Sequence, residues 1–133
     1  MNTQDAVEHG SSDAEARARR SLAASVAIGA AAFFAAYVVL GTILILAEGG
    51  SGARPTGAGW LVAYLIRSIV QGGLAGYVAA RRRGPRWVSA CGVLAALAAL
   101  FSILFAAAFG LYTALVHVAA VFLGGWVASR RAV

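Results

Sequence analysis

Three side chains stand where polar groups are costly. Arg67, Gln71 and His117 each lie inside a long apolar stretch of this 133-residue chain. A guanidinium in such a place attracts anions or lipid headgroups, an amide offers both N–H donors and an acceptor oxygen, and an imidazole can donate, accept or relay a proton. Arg67 and Gln71 are four residues apart, which puts them on one face of a helix. That face also carries Tyr64, Ser68 and Ala75, with Val62, Ile66 and Ile69 opposite, so it is expected to turn inward. Arg67 precedes Arg81 by 14 residues and His117 precedes Arg130 by 13. At 1.5 Å per residue both sit about 20 Å from the arginine-rich helix ends, at nearly one depth. The expectation is a polar spot in the outer half of a membrane. The structural alternative is that Arg67 snorkels toward the outer interface, where Glu48 could partner it, and that His117 is satisfied by Ser102 or Thr113.

Other chemistry is sparse. The single cysteine, Cys91, cannot form an intramolecular disulfide, and its apolar surroundings make it a packing residue. The patterns CxxC, HExxH, GxxxxGK[ST] and GxSxG do not occur. No catalytic set, metal site or cofactor is therefore expected, and the chain is not expected to be an enzyme. The apolar stretches contain no acidic residue. That weighs against a proton-coupled carrier built on a membrane carboxylate, although a histidine relay stays open.

The elements that position these groups follow from composition. The chain is 61% hydrophobic and 12% charged, with 11 arginines and no lysine. Soluble domains carry roughly 25% charged residues. The strong basic balance could indicate nucleic acid, but the arginines cluster at the ends of apolar runs, as membrane orientation requires, so no nucleic acid is expected. Residues 1–20 are polar and of mixed charge, and are expected to be a cytoplasmic segment, disordered through residue 10. A capping box at Ser12 and Glu15 is expected to start a short surface helix supported by the pairs Asp13–Arg17 and Glu15–Arg19. The segment lacks the form of a signal peptide, so no cleavage is expected.

A four-helix transmembrane domain over 21–133 is expected, with spans near 22–47, 60–80, 87–108 and 111–129. The stretch from Trp87 to Ser129 would be roughly 65 Å long as one helix, twice the hydrocarbon thickness, so it must fold back near 108–113. Gly110 suits that turn, and Tyr112 suits an interface. Arg17, Arg19 and Arg20 precede the first span, Arg81, Arg82, Arg83 and Arg86 separate the second and third, and Arg130 and Arg131 follow the fourth. All nine fall on one side and only Arg54 on the other. The positive-inside rule makes that side cytoplasmic, with both termini there.

Residues 74–83, LAGYVAARRR, return at 123–132 as LGGWVASRRA, identical at six of ten positions. Two hairpins running in the same direction point to a tandem parallel repeat. Convergence of two similar helix ends is the alternative. Lipid supplies no hydrophobic drive for helix association, so small residues are expected to mediate the contacts. In the fourth span these are Gly110, Thr113, His117, Ala120, Gly124 and Ala128, and in the third Cys91, Gly92, Ala95, Ala99, Ser102 and Ala106. The second span has the row Gly72, Gly76 and Ala80. With Gly125 these glycines are the expected packing positions. Ala24, Ala27, Ala31 and Ala35 leave the inward face of the first span undetermined.

The repeated ends, with Gly72, Gly73, Ala75, Gly76, Ala79, Gly124, Gly125 and Ala128 before the arginines, resemble those of small four-helix bacterial membrane proteins of uncharacterised function. The resemblance implies a bacterial inner membrane and no particular activity. The arginine, alanine and glycine bias is similar to that of GC-rich bacterial genomes. The expected function is a structural or accessory membrane protein that packs with itself, as a homo-oligomer, or with a larger membrane partner. The rival is a small oligomeric channel or transporter for an anion or small solute, using Arg67, Gln71 and His117.

Overall fold

The computed structural model describes residues 3–47, 58–83, 86–105 and 110–131, with side chains placed for 15–18, 21–47, 59–83 and the two later segments. The described residues form four helices and no strand: α1 (Thr3–Ala47), α2 (Ala58–Arg83), α3 (Trp87–Phe105) and α4 (Gly110–Arg130). Each contains a stretch long and apolar enough to cross a membrane, bounded as Glu15–Ala47, Gly59–Arg83, Trp87–Phe105 and Gly110–Arg130. This is an all-α, multi-pass membrane architecture.

Helix ends differ from the sequence reading. α1 is continuous from Thr3, so Ser12 lies within the helix and not at its cap. No proline interrupts that stretch, and alanine favours helix throughout. The pairs Asp13–Arg17 and Glu15–Arg19 each involve a side chain outside the described set. Arg81, Arg82 and Arg83 form the last turn of α2, not a connecting loop, where their charge complements the negative end of the helix dipole. Gly110 begins α4, and the connection at 106–109 falls outside the described residues, as do Ala106, Glu48, Arg54 and Pro85.

Successive helices run antiparallel. The Arg67 guanidinium on α2 reaches Tyr37 near the end of α1, Cys91 near the start of α3 reaches Gly76 late in α2, and Ser102 late in α3 meets His117 early in α4. α2 and α4 are therefore parallel, and they make the most extensive contact in the bundle. Their glycines set its closeness. A Cβ on Gly76 would overlap the Val121 carbonyl, and one on Gly124 would overlap the Gly73 carbonyl. A Cβ on Gly72 would press on Ala120 at 2.9 Å. Gly125 receives Trp87 and Cys91 of α3. The pairings Gly72 with Ala120, Gly73 with Gly124 and Gly76 with Val121 bracket the 49-residue spacing of the two similar segments. Those segments thus lie side by side, nearly in register.

The buried face of α4 comprises Gly110, Thr113, Ala114, His117, Ala120, Val121, Gly124, Gly125 and Ala128. That of α3 includes Cys91, Ala95 and Ser102, together with Leu94, the largest fully buried side chain. Leu97, Leu100, Leu104, Leu111, Leu115 and Trp126 face outward. α1 settles its own ambiguity differently. Ser25, Gly29, Phe33 and Ala36 turn inward, and Ala24, Ala27, Ala31 and Ala35 are exposed. The inward face holds the one glycine that admits Leu94 and Ala79 closely and the one aromatic that fills the centre.

One end of the bundle gathers Arg17, Arg81, Arg82, Arg83, Arg86, Arg130 and Arg131. Arg83 fastens it: Nη1 donates to the Ala18 carbonyl at 3.2 Å and to Ser21 Oγ, and Nη2 donates to Ser89 Oγ at 3.5 Å. Arg130 lies 4.4 Å over the ring of Trp126. At the opposite end Trp60 stacks on Tyr64 at 5.3 Å. Aromatic side chains at both ends suit two membrane interfaces.

Candidate intramembrane polar site

The bundle brings Arg67, Gln71 and His117 to one small cavity. Its volume is about 40 Å³, and its walls also include Tyr37, Ser68, Ser102 and Thr113. α2 supplies Arg67, Ser68 and Gln71 from successive turns of its inward face. α4 supplies Thr113 and His117, again one turn apart. α3 supplies Ser102, and α1 closes the side with Tyr37.

Arg67 is half-buried at the edge of this space. Its Nη2 donates to the Tyr37 carbonyl at 3.2 Å, and its guanidinium carbon lies 4.4 Å from the centre of the Tyr37 ring. The Tyr64 ring is farther, at 5.9 Å. Gly41, one turn beyond Tyr37, leaves room for the guanidinium: a Cβ there would meet Nη2 at 3.3 Å. A carbonyl and two π-faces thus hold the cation. Glu48, the acid that could have partnered it, lies outside the described residues.

His117 is only 4% exposed. Its Nδ1 lies 2.9 Å from Ser102 Oγ, and the Ser102 hydroxyl donates to the Ala98 carbonyl at 2.8 Å. The backbone of Thr113 also hydrogen-bonds the imidazole. Ser102 and Thr113 thus meet one side of the imidazole. Nε2 is buried and without a hydrogen-bond partner. Gln71 is 2% exposed, and its Nε2, a donor, also has no partner. Gln71 and His117, from different helices, line one cavity, and each keeps one buried nitrogen without a hydrogen-bond partner. Buried polar groups are ordinarily paired, and each exception calls for a cause.

Sequence reasoning placed Arg67 and His117 at nearly one depth, put Gln71 on the face of Arg67, and named Ser102 or Thr113 as a partner for the imidazole. It missed Tyr37, and it missed Phe33, whose ring centre is 5.1 Å from that of His117. Phe33 and Tyr37 are four residues apart and both pack near Phe101, at 6.0 and 5.7 Å. That i,i+4 aromatic pair was the available signal, hidden by the alanine row beside it. Gly72, Gly76, Gly124 and Gly125 lie at helix contacts toward the arginine-rich end and line none of the cavity. Among the described residues no three His, Cys, Asp or Glu side chains come together to hold a metal ion.

No family model matches this chain, and neither a curated protein nor a solved structure shows significant similarity to it.

Proposed function

We propose that the protein is a non-enzymatic four-span protein of a bacterial inner membrane, with both termini cytoplasmic, that binds and passes a small anion or polar solute through the Arg67–Gln71–His117 pocket. One observation carries this reading: a cation, an unpartnered amide and an unpartnered imidazole from two helices share a cavity at mid-bundle. Intramembrane polar groups are costly, and their convergence is better explained by a ligand than by three separate accidents of packing. The nine arginines flanking the spans support the orientation. The near-register packing of 74–83 on 123–132 supports a parallel repeat of two hairpins. Flux of small anions into liposomes tests the function. The wild-type chain is expected to exceed empty liposomes, and Arg67→Ala and His117→Ala are expected to fall toward leak. Leak-level flux for all three would contradict it.

The accessory reading keeps one specific support. The glycine rows close on each other inside the bundle, but Ala24, Ala27, Ala31 and Ala35 of α1 remain an exposed row of small residues that a second chain could meet. Crosslinking in native membranes distinguishes it: a discrete dimer or heteromeric band supports an accessory role, and a strictly monomeric species opposes it.

A further inference from the structure

The outer face of the α2–α4 pair carries a groove that is separate from the polar cavity. Its volume is about 450 Å³, and residues of α2 and α4 alone line it. Gly73, Ala120 and Gly124 lie along the seam, where their small size leaves a hollow between the two helices. Ile69, Val70 and Leu74 of α2 and Leu123 of α4 flank it, all exposed. Tyr77 and Arg131 stand at its arginine-rich end.

The groove has the length of one leaflet. At 1.5 Å per residue α2 rises about 12 Å from Ile69 to Tyr77, and α4 rises about 16 Å from Ala120 to Arg131. Half of the hydrocarbon thickness is about 15 Å. Charge gathers at its mouth. Arg131 lines the groove, and Arg81 follows Tyr77 by four residues, which continues the same side of α2. Both are exposed. Arg83, by contrast, is held by Ala18, Ser21 and Ser89, and Arg130 lies over Trp126.

A second copy of the chain suits the apolar seam but not its mouth. Copies in one membrane insert in the same direction, so a two-fold partner on this face would bring its own arginines against these. A zwitterionic lipid fills the seam and brings no net charge to the mouth. A lipid with an anionic phosphate headgroup suits both ends.

We propose that this groove binds one anionic phospholipid from the leaflet at the arginine-rich end. An acyl chain lies along Gly73 and Gly124, and the phosphate meets Arg81 and Arg131.

The test uses the full chain in detergent, with phosphatidylglycerol and phosphatidylcholine of identical acyl chains as probes. Bound lipid is counted by native mass spectrometry, and affinity is read from the rise in unfolding temperature. Phosphatidylglycerol is expected to bind roughly tenfold or more tightly than phosphatidylcholine. Arg81→Gln and Arg131→Gln are each expected to lower that preference about fivefold, the factor for one arginine near an anionic headgroup. Arg82→Gln removes the same charge about 100° further round α2 and is expected to leave the preference nearly intact. Gly73→Leu is expected to fill the groove and weaken both lipids. A Cβ there meets only the Ala120 carbonyl, at 3.8 Å, so the side chain enters without moving α4. Glycerol 3-phosphate alone is expected not to bind. Equal affinity for the two lipids, or a loss in Arg82→Gln that equals the loss in Arg81→Gln, would overturn the site and leave diffuse attraction at the helix ends. Binding unaffected by Gly73→Leu, or tight binding of glycerol 3-phosphate, would overturn the part given to the groove. A dimer that Gly73→Leu dissolves and phosphatidylglycerol does not would assign the face to a second copy and overturn the proposal.

Discussion

The Ser102–His117 contact ties α3 to α4 at the wall of the pocket. Ser102 is 2% exposed, and its hydroxyl lies 2.9 Å from Nδ1 of the imidazole. Ser102→Ala is expected to lower stability by about 0.6 kcal/mol, the average for one hydrogen bond between membrane helices. Nitrogen-15 spectra of the labelled imidazole would show the lost contact as a shift of the Nδ1 resonance, and an unmoved resonance would contradict it. Tyr37 acts on Arg67 through its ring as well as its carbonyl. Tyr37→Leu keeps the carbonyl and removes the π-face, and is expected to lower the unfolding temperature in nanodiscs, through a loss of about 0.5–2 kcal/mol. An unchanged unfolding temperature would show that the ring only stands nearby. Arg67, Gln71 and His117 were legible because each breaks an apolar period at a countable depth. Tyr37 and Phe33 were not, because aromatics on an alanine-rich helix break no pattern; only the partner helices decide which face turns inward.

At the scale of the element, glycine position separates contacts from empty space. A methyl on Gly76 would strike the Val121 carbonyl, which is backbone and cannot swing aside. Gly92 has nothing within 4 Å of the same added atom. Gly76→Ala is expected to destabilise the bundle by roughly 1–3 kcal/mol through overpacking. Gly92→Ala is expected to stabilise it by up to about 1 kcal/mol through helix propensity. Thermal unfolding of the two single variants in one detergent checks the pair, and similar shifts in both would contradict the α2–α4 contact. The small-residue rows of α2 and α4 were readable at 100° per residue, because lipid-facing leucines mark the opposite side. Helix ends were less so. The arginines after Ala80 read as a loop, yet the helix dipole and the contacts of Arg83 carry α2 three residues further.

For the whole molecule, the four spans follow from length and apolarity, and their antiparallel succession follows from short connections. What the sequence withheld is how the arginine-rich end is tied. Arg83 joins α1 to α2 and reaches Ser89 on α3, whereas Arg81, Arg82, Arg86 and Arg131 are exposed. Arg83→Ala is expected to cost about 1–2 kcal/mol and Arg82→Ala very little, while neither alters orientation, because the remaining arginines keep the charge bias.

The central claim is that residues from α2 and α4 act on a ligand as one site inside the bundle. A double-mutant cycle on Arg67→Gln and His117→Phe, read as the shift in unfolding temperature that an anion produces in nanodiscs, tests it most directly. The account predicts a shift in the wild type, a reduced shift in each single variant, and a double variant no worse than the poorer single. Losses that simply add, or a wild type indifferent to every anion tried and to Arg67→Gln alike, would contradict it.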